Sequence, residues 1–143
     1  MIIKDEKLLR VACEQATIEE AKEIIILLEK ALIESDKNGF PGIGLAAPQI
    51  GIAKQVLIVR IPNICNINLA NHKITKTYDK ALFKNEGCLS FPGIYADTHR
   101  FQEIVIENNL FTPHSFIATG LTAVVIQHET DHLNEKLLID WKK

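Results

Sequence analysis

Apolar residues recur at helical spacing in the segment that follows Thr17. Ile18, Ala21, Ile24, Ile25, Leu28, Ala31 and Leu32 share one face of a 3.6-residue repeat, which predicts a long N-terminal helix packed on a core. Thr17 and Glu20 have capping-box spacing, so the helix is expected to begin at Ile18. Asn38-Gly39 should end it, as a left-handed cap or turn. The next thirteen residues, GFPGIGLAAPQIG (39–51), hold four glycines and two prolines. They cannot form a regular helix or an interior strand throughout. Strand-like patterns follow at 55–61, about 73–78, 103–107 and 115–118. Residues 65–85, rich in Asn and Lys, give the least readable pattern.

A second helix is expected to open at Thr119-Gly120. From there Leu121, Val124, Val125, His128 and His132 fall on one face, the stripe expected to point inward. Glu129 stands at the edge of that stripe. Short strands clustered between two helices predict an α+β fold rather than a parallel βαβ sheet. No repeat, low-complexity tract or linker divides the chain, so residues 1–143 are expected to form a single domain.

The length of 143 residues is enough to bury a real core. Hydrophobic residues make up 47% and charged residues 24%, the balance of an ordinary globular protein. A net charge of -2 gives no reason to expect a nucleic-acid or anionic-membrane surface. The longest apolar run, Ile24 to Leu28, is far too short to span a bilayer. The N-terminus carries charges where a secretion signal needs an apolar core. Cys13, Cys65 and Cys88 are odd in number and lack framework spacing. A reducing, cytoplasmic setting with free thiols or metal ligands is therefore expected.

The stretch VVIQHETDHLNE (124–135) changes this picture. His128 and His132, four apart on a helix, can bind one metal ion, and Glu129 can act as general base on water. A catalytic site needs a third protein ligand and one open position. The extended form of the motif wants glycine and histidine where this chain has Glu135 and Leu138, so that class is excluded. No later glutamate is available, and the third ligand must come from upstream. Cys88, in the loop-like NEGCLSFPG, is the best candidate, since a thiolate suits a borderline divalent metal. His99 and His114 compete with it, and spacing does not rank the three. A cysteine nucleophile with a histidine base is also compatible with these residues.

Three segments in this order, GIGLAAPQ (42–49), EGCLS (86–90) and QHETDH (127–132), resemble the peptide deformylase family. These enzymes remove the formyl group from N-formylmethionine at the start of new polypeptides. The resemblance implies antiparallel β-sheets around a central helix that carries the HExxH motif. It implies a divalent metal on Cys88, His128 and His132, natively Fe2+, with Zn2+, Ni2+ or Co2+ able to substitute. Metal-bound hydroxide would attack the formyl carbon, with Glu129 as general base and then acid. Gln49, through its side-chain amide, and Leu89, through its backbone N–H, would stabilise the oxyanion. Ile43, Gly44, Leu121, Val124 and Val125 match substrate-binding positions around a methionine pocket. Asp131 and Arg100 match a supporting ion pair. A formyl-Met nascent peptide is the implied partner, near the ribosome exit region, for a cytoplasmic monomer. The family usually has glycine in place of Glu135, and Asn134 is expected to take the left-handed cap instead. The chain stops before the C-terminal helix of many bacterial members, as compact phage-encoded forms do. The rival readings are another metal hydrolase and a binding module that has kept the fold.

Overall fold

The computed structural model describes residues 1–142. A short helix α1 (Glu6–Leu9) precedes the long α2 (Ile18–Lys37). Strands β1 (Gly44–Ala46), β2 (Val56–Ile61) and β3 (Cys65–Ala70) form one antiparallel sheet in the order β1-β2-β3. Strands β4 (Lys73–Glu86), β5 (Ala96–Glu107) and β6 (Ser115–Thr119) form a second, again antiparallel and in sequence order. Helix α3 (Gly120–Leu133) packs against β1, β2, β5 and β6, so it lies between the two sheets. The α+β class follows from this arrangement.

Local signals account for α2. Thr17 accepts from the Glu20 N–H at 3.2 Å, and Glu20 accepts from the Thr17 N–H at 2.9 Å. The helix buries Ala21, Ile24, Ile25, Leu28, Ala31 and Leu32, the anticipated stripe. It ends before Asn38, and Gly39 takes a φ of 87°. Strand β2 shows why alternation fails in a central strand. Val56 and Ile58 pack with α2, whereas Leu57, Val59 and Ile61 pack with Ile126 of α3 and Ile104 and Ile106 of β5. Both faces are buried, so the strand reads as a continuous apolar run.

Several boundaries differ from the expectations. Strand β3 falls inside the stretch that gave no readable pattern, and β4 runs on to Glu86 rather than stopping near residue 78. Strand β5 begins at Ala96, not near residue 103. Most of β4 is solvent-exposed, so no apolar face marks its length. Leu121 is 42% exposed, against its expected place on the inward stripe. It belongs to the first turn of α3, ahead of the point where the sheets close over the helix.

The end of α3 also departs from expectation. Asn134 has a φ of -109°, and it is Glu135 that takes the left-handed value of 64°. The reason is the hydrogen-bond pattern. The Lys136 N–H donates to the Asp131 carbonyl at 2.8 Å and the Glu135 N–H to that of His132 at 3.3 Å, a Schellman turn that needs its left-handed residue at 135. Arg10 Nη1 donates to the Glu135 carbonyl at 3.0 Å and helps to hold the turn. A side chain in this conformation costs about 1–2 kcal/mol. Glu135→Gly removes that strain but frees the unfolded chain, so a net gain of about 0.5–1 kcal/mol is expected. A urea midpoint that does not rise would contradict this.

His72, between β3 and β4, is buried against the back of α3. Its Nε2 lies 2.9 Å from the Thr130 hydroxyl, and its Nδ1 is buried with no partner among the described residues. Burial pushes its pKa down to about 4 from 6.5. Protonation therefore favours the unfolded chain. The stability His72 contributes is complete above about pH 6.5 and is lost as the pH falls toward 4. In urea titrations at pH 7 and pH 5, His72→Gln should lose less stability on acidification than the wild type. An equal loss would rule out this origin.

Candidate metal centre

Helix α3 carries His128 and His132 one turn apart, and its partners decide their environment. His128 is 7% exposed and His132 1%. Cys88 follows β4 in a turn and comes to the same point. Its Sγ is 3.5 Å from His132 Nε2, and one ligand atom from each of Cys88, His128 and His132 lies within 4.8 Å of the others. Ligand atoms around one tetrahedral cation at 2.0–2.3 Å stand about 3.5 Å apart, so the cluster has the right scale. Of the upstream candidates, Cys88 joins the two histidines. His114 bonds instead to the Asn108 carbonyl, and His99 lies beside Trp141.

Glu86 organises this cluster, and sequence reasoning gave it no role. It is the last residue of β4 and is 5% exposed. His128 Nδ1 is 2.5 Å from its Oε2. Arg100, on β5, donates to it from Nε at 2.9 Å and from Nη2 at 2.6 Å. Thr98 adds a bond of 2.9 Å. The expected Arg100–Asp131 pair is present, with Nη1 donating at 2.6 Å. His128 thus turns Nδ1 toward Glu86 and leaves Nε2 for the site, the orientation of a ligating histidine. His132 Nδ1 finds no such partner among the described residues.

The electrostatics agree with a cation site. Burial alone would raise the pKa of Glu86, but His128 and Arg100 outweigh it and bring it down to about 2. Burial disfavours charge on His128, yet Glu129, Cys88 and Glu86 hold its pKa well above the ordinary range. Burial, then the positive charges of His128 and Arg100, push His132 down to about 3. The shell therefore stabilises one concentrated positive charge and keeps the second imidazole neutral. The same field favours a divalent cation, which needs neutral imidazoles and a thiolate. Glu129 is raised to about 7, chiefly by burial. Its Oε1 is buried without a partner among the described residues, free to meet a water or a substrate.

These groups border a cavity of about 530 Å³. Cys88, His128, Glu129, Gln49 and Leu89 line it, together with Ile43, Gly44, Leu121, Val124 and Val125. Gln49 sits on the single 3-10 turn after β1 (Ala47–Ile50) and is 1% exposed. Its Oε1 accepts from the Ala46 N–H at 3.0 Å, which aims the amide nitrogen at Ser90, 3.1 Å away, and Cys88 Sγ, 3.7 Å away. No hydrogen bond among the described residues uses the Leu89 N–H. A Cβ on Gly44 would come within 2.8 Å of both Glu129 Oε2 and Val125 Cγ1, so the strand can pass the site only as glycine.

A family model described as polypeptide deformylase matches residues 1–143. The chain belongs to the polypeptide deformylase family. A peptide deformylase of Hydrogenovibrio crunogenus is 45% identical over 104 residues, which cover 70% of this chain and 61% of that protein. A second, from Synechocystis, is 41% identical over 105 residues, 69% of this chain and 56% of its own. The matches to these curated relatives thus span less than two thirds of their length. Among solved structures, a peptide deformylase from Synechococcus elongatus in complex with actinonin superposes with a TM-score of 0.84 at 33% identity. That match covers 100% of this chain and 78% of the other. Arabidopsis thaliana peptide deformylase 1B in complex with an inhibitor gives 0.83 at 33% identity, covering 99% and 81%.

Within this family member, removing the negative charge at Glu86 should be severe. Glu86→Gln leaves Arg100 with one carboxylate and is expected to cost about 3 kcal/mol of stability, as breaking a buried pair does. A urea midpoint within experimental error of the wild type would show that Asp131 alone satisfies Arg100.

Proposed function

We propose that the chain hydrolyses the formyl amide of N-formylmethionine at the start of nascent polypeptides, yielding formate and a free amine. The observation that carries this is the meeting of Cys88, His128 and His132 at one point, with Cys88, His128 and Glu129 lining one cavity, in a polypeptide deformylase family member. The inhibitor-bound relatives support the reading of this cavity as a ligand site. Cys88, His128 and His132 would hold a divalent cation, which when bound supplies a Lewis acid and makes water more acidic. A mixed thiolate and imidazole set suits Fe2+, Zn2+, Ni2+ or Co2+. We assign Fe2+ as the native ion; zinc binds such sets more tightly and can replace it.

Glu129, whose Oε1 has no partner among the described residues, would take a proton from the attacking water. It then returns the proton to the departing amine. The Gln49 amide and the Leu89 N–H donate to the formyl oxygen as negative charge develops there, which is where donors accelerate acyl transfer most. The Gln49 amide is aimed in advance, because Ala46 and Ser90 fix its rotamer. Ile43, Leu121, Val124 and Val125 give the methionine side chain an apolar wall, and Gly44 lets the substrate backbone approach. Arg100 and Asp131 support α3 rather than touching substrate. Among the described residues no helix is long and apolar enough to cross a membrane. The reading is of a cytoplasmic monomer acting on chains emerging near the ribosome exit.

The test is anaerobic formate release from formyl-Met-Ala-Ser, with the acetyl and unblocked peptides in parallel. Preferential formate release is expected; internal cleavage without formate sinks the proposal. Chelation should abolish turnover and a divalent ion should restore it. Glu129→Gln should lower kcat by about 100- to 10,000-fold while the cation stays bound. Full turnover in that variant would remove Glu129 from the mechanism.

A further inference from the structure

The guanidinium of Arg100 does more than bind carboxylates. Nε, Nη1 and Nη2 all donate within its plane, to Glu86 and Asp131. The guanidinium also stands over the face of the Trp141 ring, its Cζ 5.2 Å from the ring centroid. Lys136 Nζ stands 4.5 Å from the centroid of the same ring. Trp141 ends the last single turn (Leu138–Trp141), which follows the left-handed Glu135. Arg10 fastens this hook through hydrogen bonds of 3.0 and 2.6 Å to Asp140. The Trp141 ring does not line the cavity.

We propose that Trp141 is a positioning residue for the metal centre, acting through Arg100 and Glu86 on His128. The inference rests on the metal-centre reading above. A planar cation against an aromatic face is attracted to it, and the ring also keeps water off the ion pair. The Arg100–Glu86 contact, with side chains 4% and 6% exposed, is strong only while it stays dry. Opening the face lets water screen the pair and frees the Glu86 carboxylate to turn away from His128 Nδ1. His128 then loses the partner that fixes its orientation and its basicity toward a metal. The effect reaches the cation from a residue that touches neither it nor the substrate.

The test measures Zn2+ affinity of the full chain by competition with a chromogenic chelator, for the wild type, Trp141→Phe and Trp141→Leu. Phenylalanine keeps an aromatic face; leucine keeps apolar bulk without one. The Phe variant should bind Zn2+ within about twofold of the wild type, and the Leu variant about five- to tenfold more weakly. The Co2+ spectrum should retain its thiolate band in all three, which marks the same ligand set. If leucine does not fold, Trp141→Met takes its place under the same criterion. A Leu or Met variant that binds within twofold of the Phe variant overturns the proposal, because the ring would then only fill space. Absence of cation binding by the wild type would overturn the metal-centre reading and this inference together.

Discussion

One buried carboxylate holds the centre of this molecule together. Glu86 is almost without solvent, and a charge in that position is costly unless it is fully paired. Arg100, Thr98 and His128 all converge on it. Its partners come from β5 and from α3, so one ionic cluster ties the second sheet to the central helix. The contact that satisfies the buried charge also turns His128, with Nδ1 held and Nε2 presented. Stability and ligand geometry here are the same interaction seen from two sides.

The packing around α3 explains how so polar a group of residues is tolerated in the interior. The helix is enclosed by both sheets, and Ala123 and Ile126 bury an apolar surface beside the histidines. That surface fixes the helix before any ligand is bound. The first sheet contributes a strand whose glycine passes within van der Waals reach of Glu129. It then contributes the 3-10 turn that aims Gln49. Helix α3 thus carries His128 and Glu129 and the 3-10 turn carries Gln49, while Cys88 and Leu89 come from the loop that follows β4.

The C-terminal hook adds a second layer to this design. A helix cap with a strained residue, a half-buried arginine near the N-terminus and an aromatic ring have no chemistry of their own. Together they close over the outer face of Arg100. The strain at Glu135 is set against the contacts that the reversed chain makes.

The sequence by itself determined the local elements whose signals are local. The Thr17 capping box, the apolar stripe of α2 and the two-histidine face of α3 are nearest-neighbour and one-turn patterns, and each survives folding because it needs little else. The two-histidine motif brought Glu129 forward, and the likeness in three short segments added Gln49 and singled out Cys88. Spacing alone could not choose among Cys88, His99 and His114, since chain separation says nothing of where loops meet. The length of β4 was illegible because an exposed strand shows no apolar face. The position of Asn134 and Glu135 was decided by hydrogen bonds of the Schellman turn rather than by residue preference. Glu86 stands in the EGCLS segment, but nothing in the sequence signalled its role, and Trp141 carried no signal at all. Their partners are Arg100 and His128, brought to them from other strands and from α3, and only the tertiary structure makes a buried charge and the ring that shelters its ion pair into neighbours.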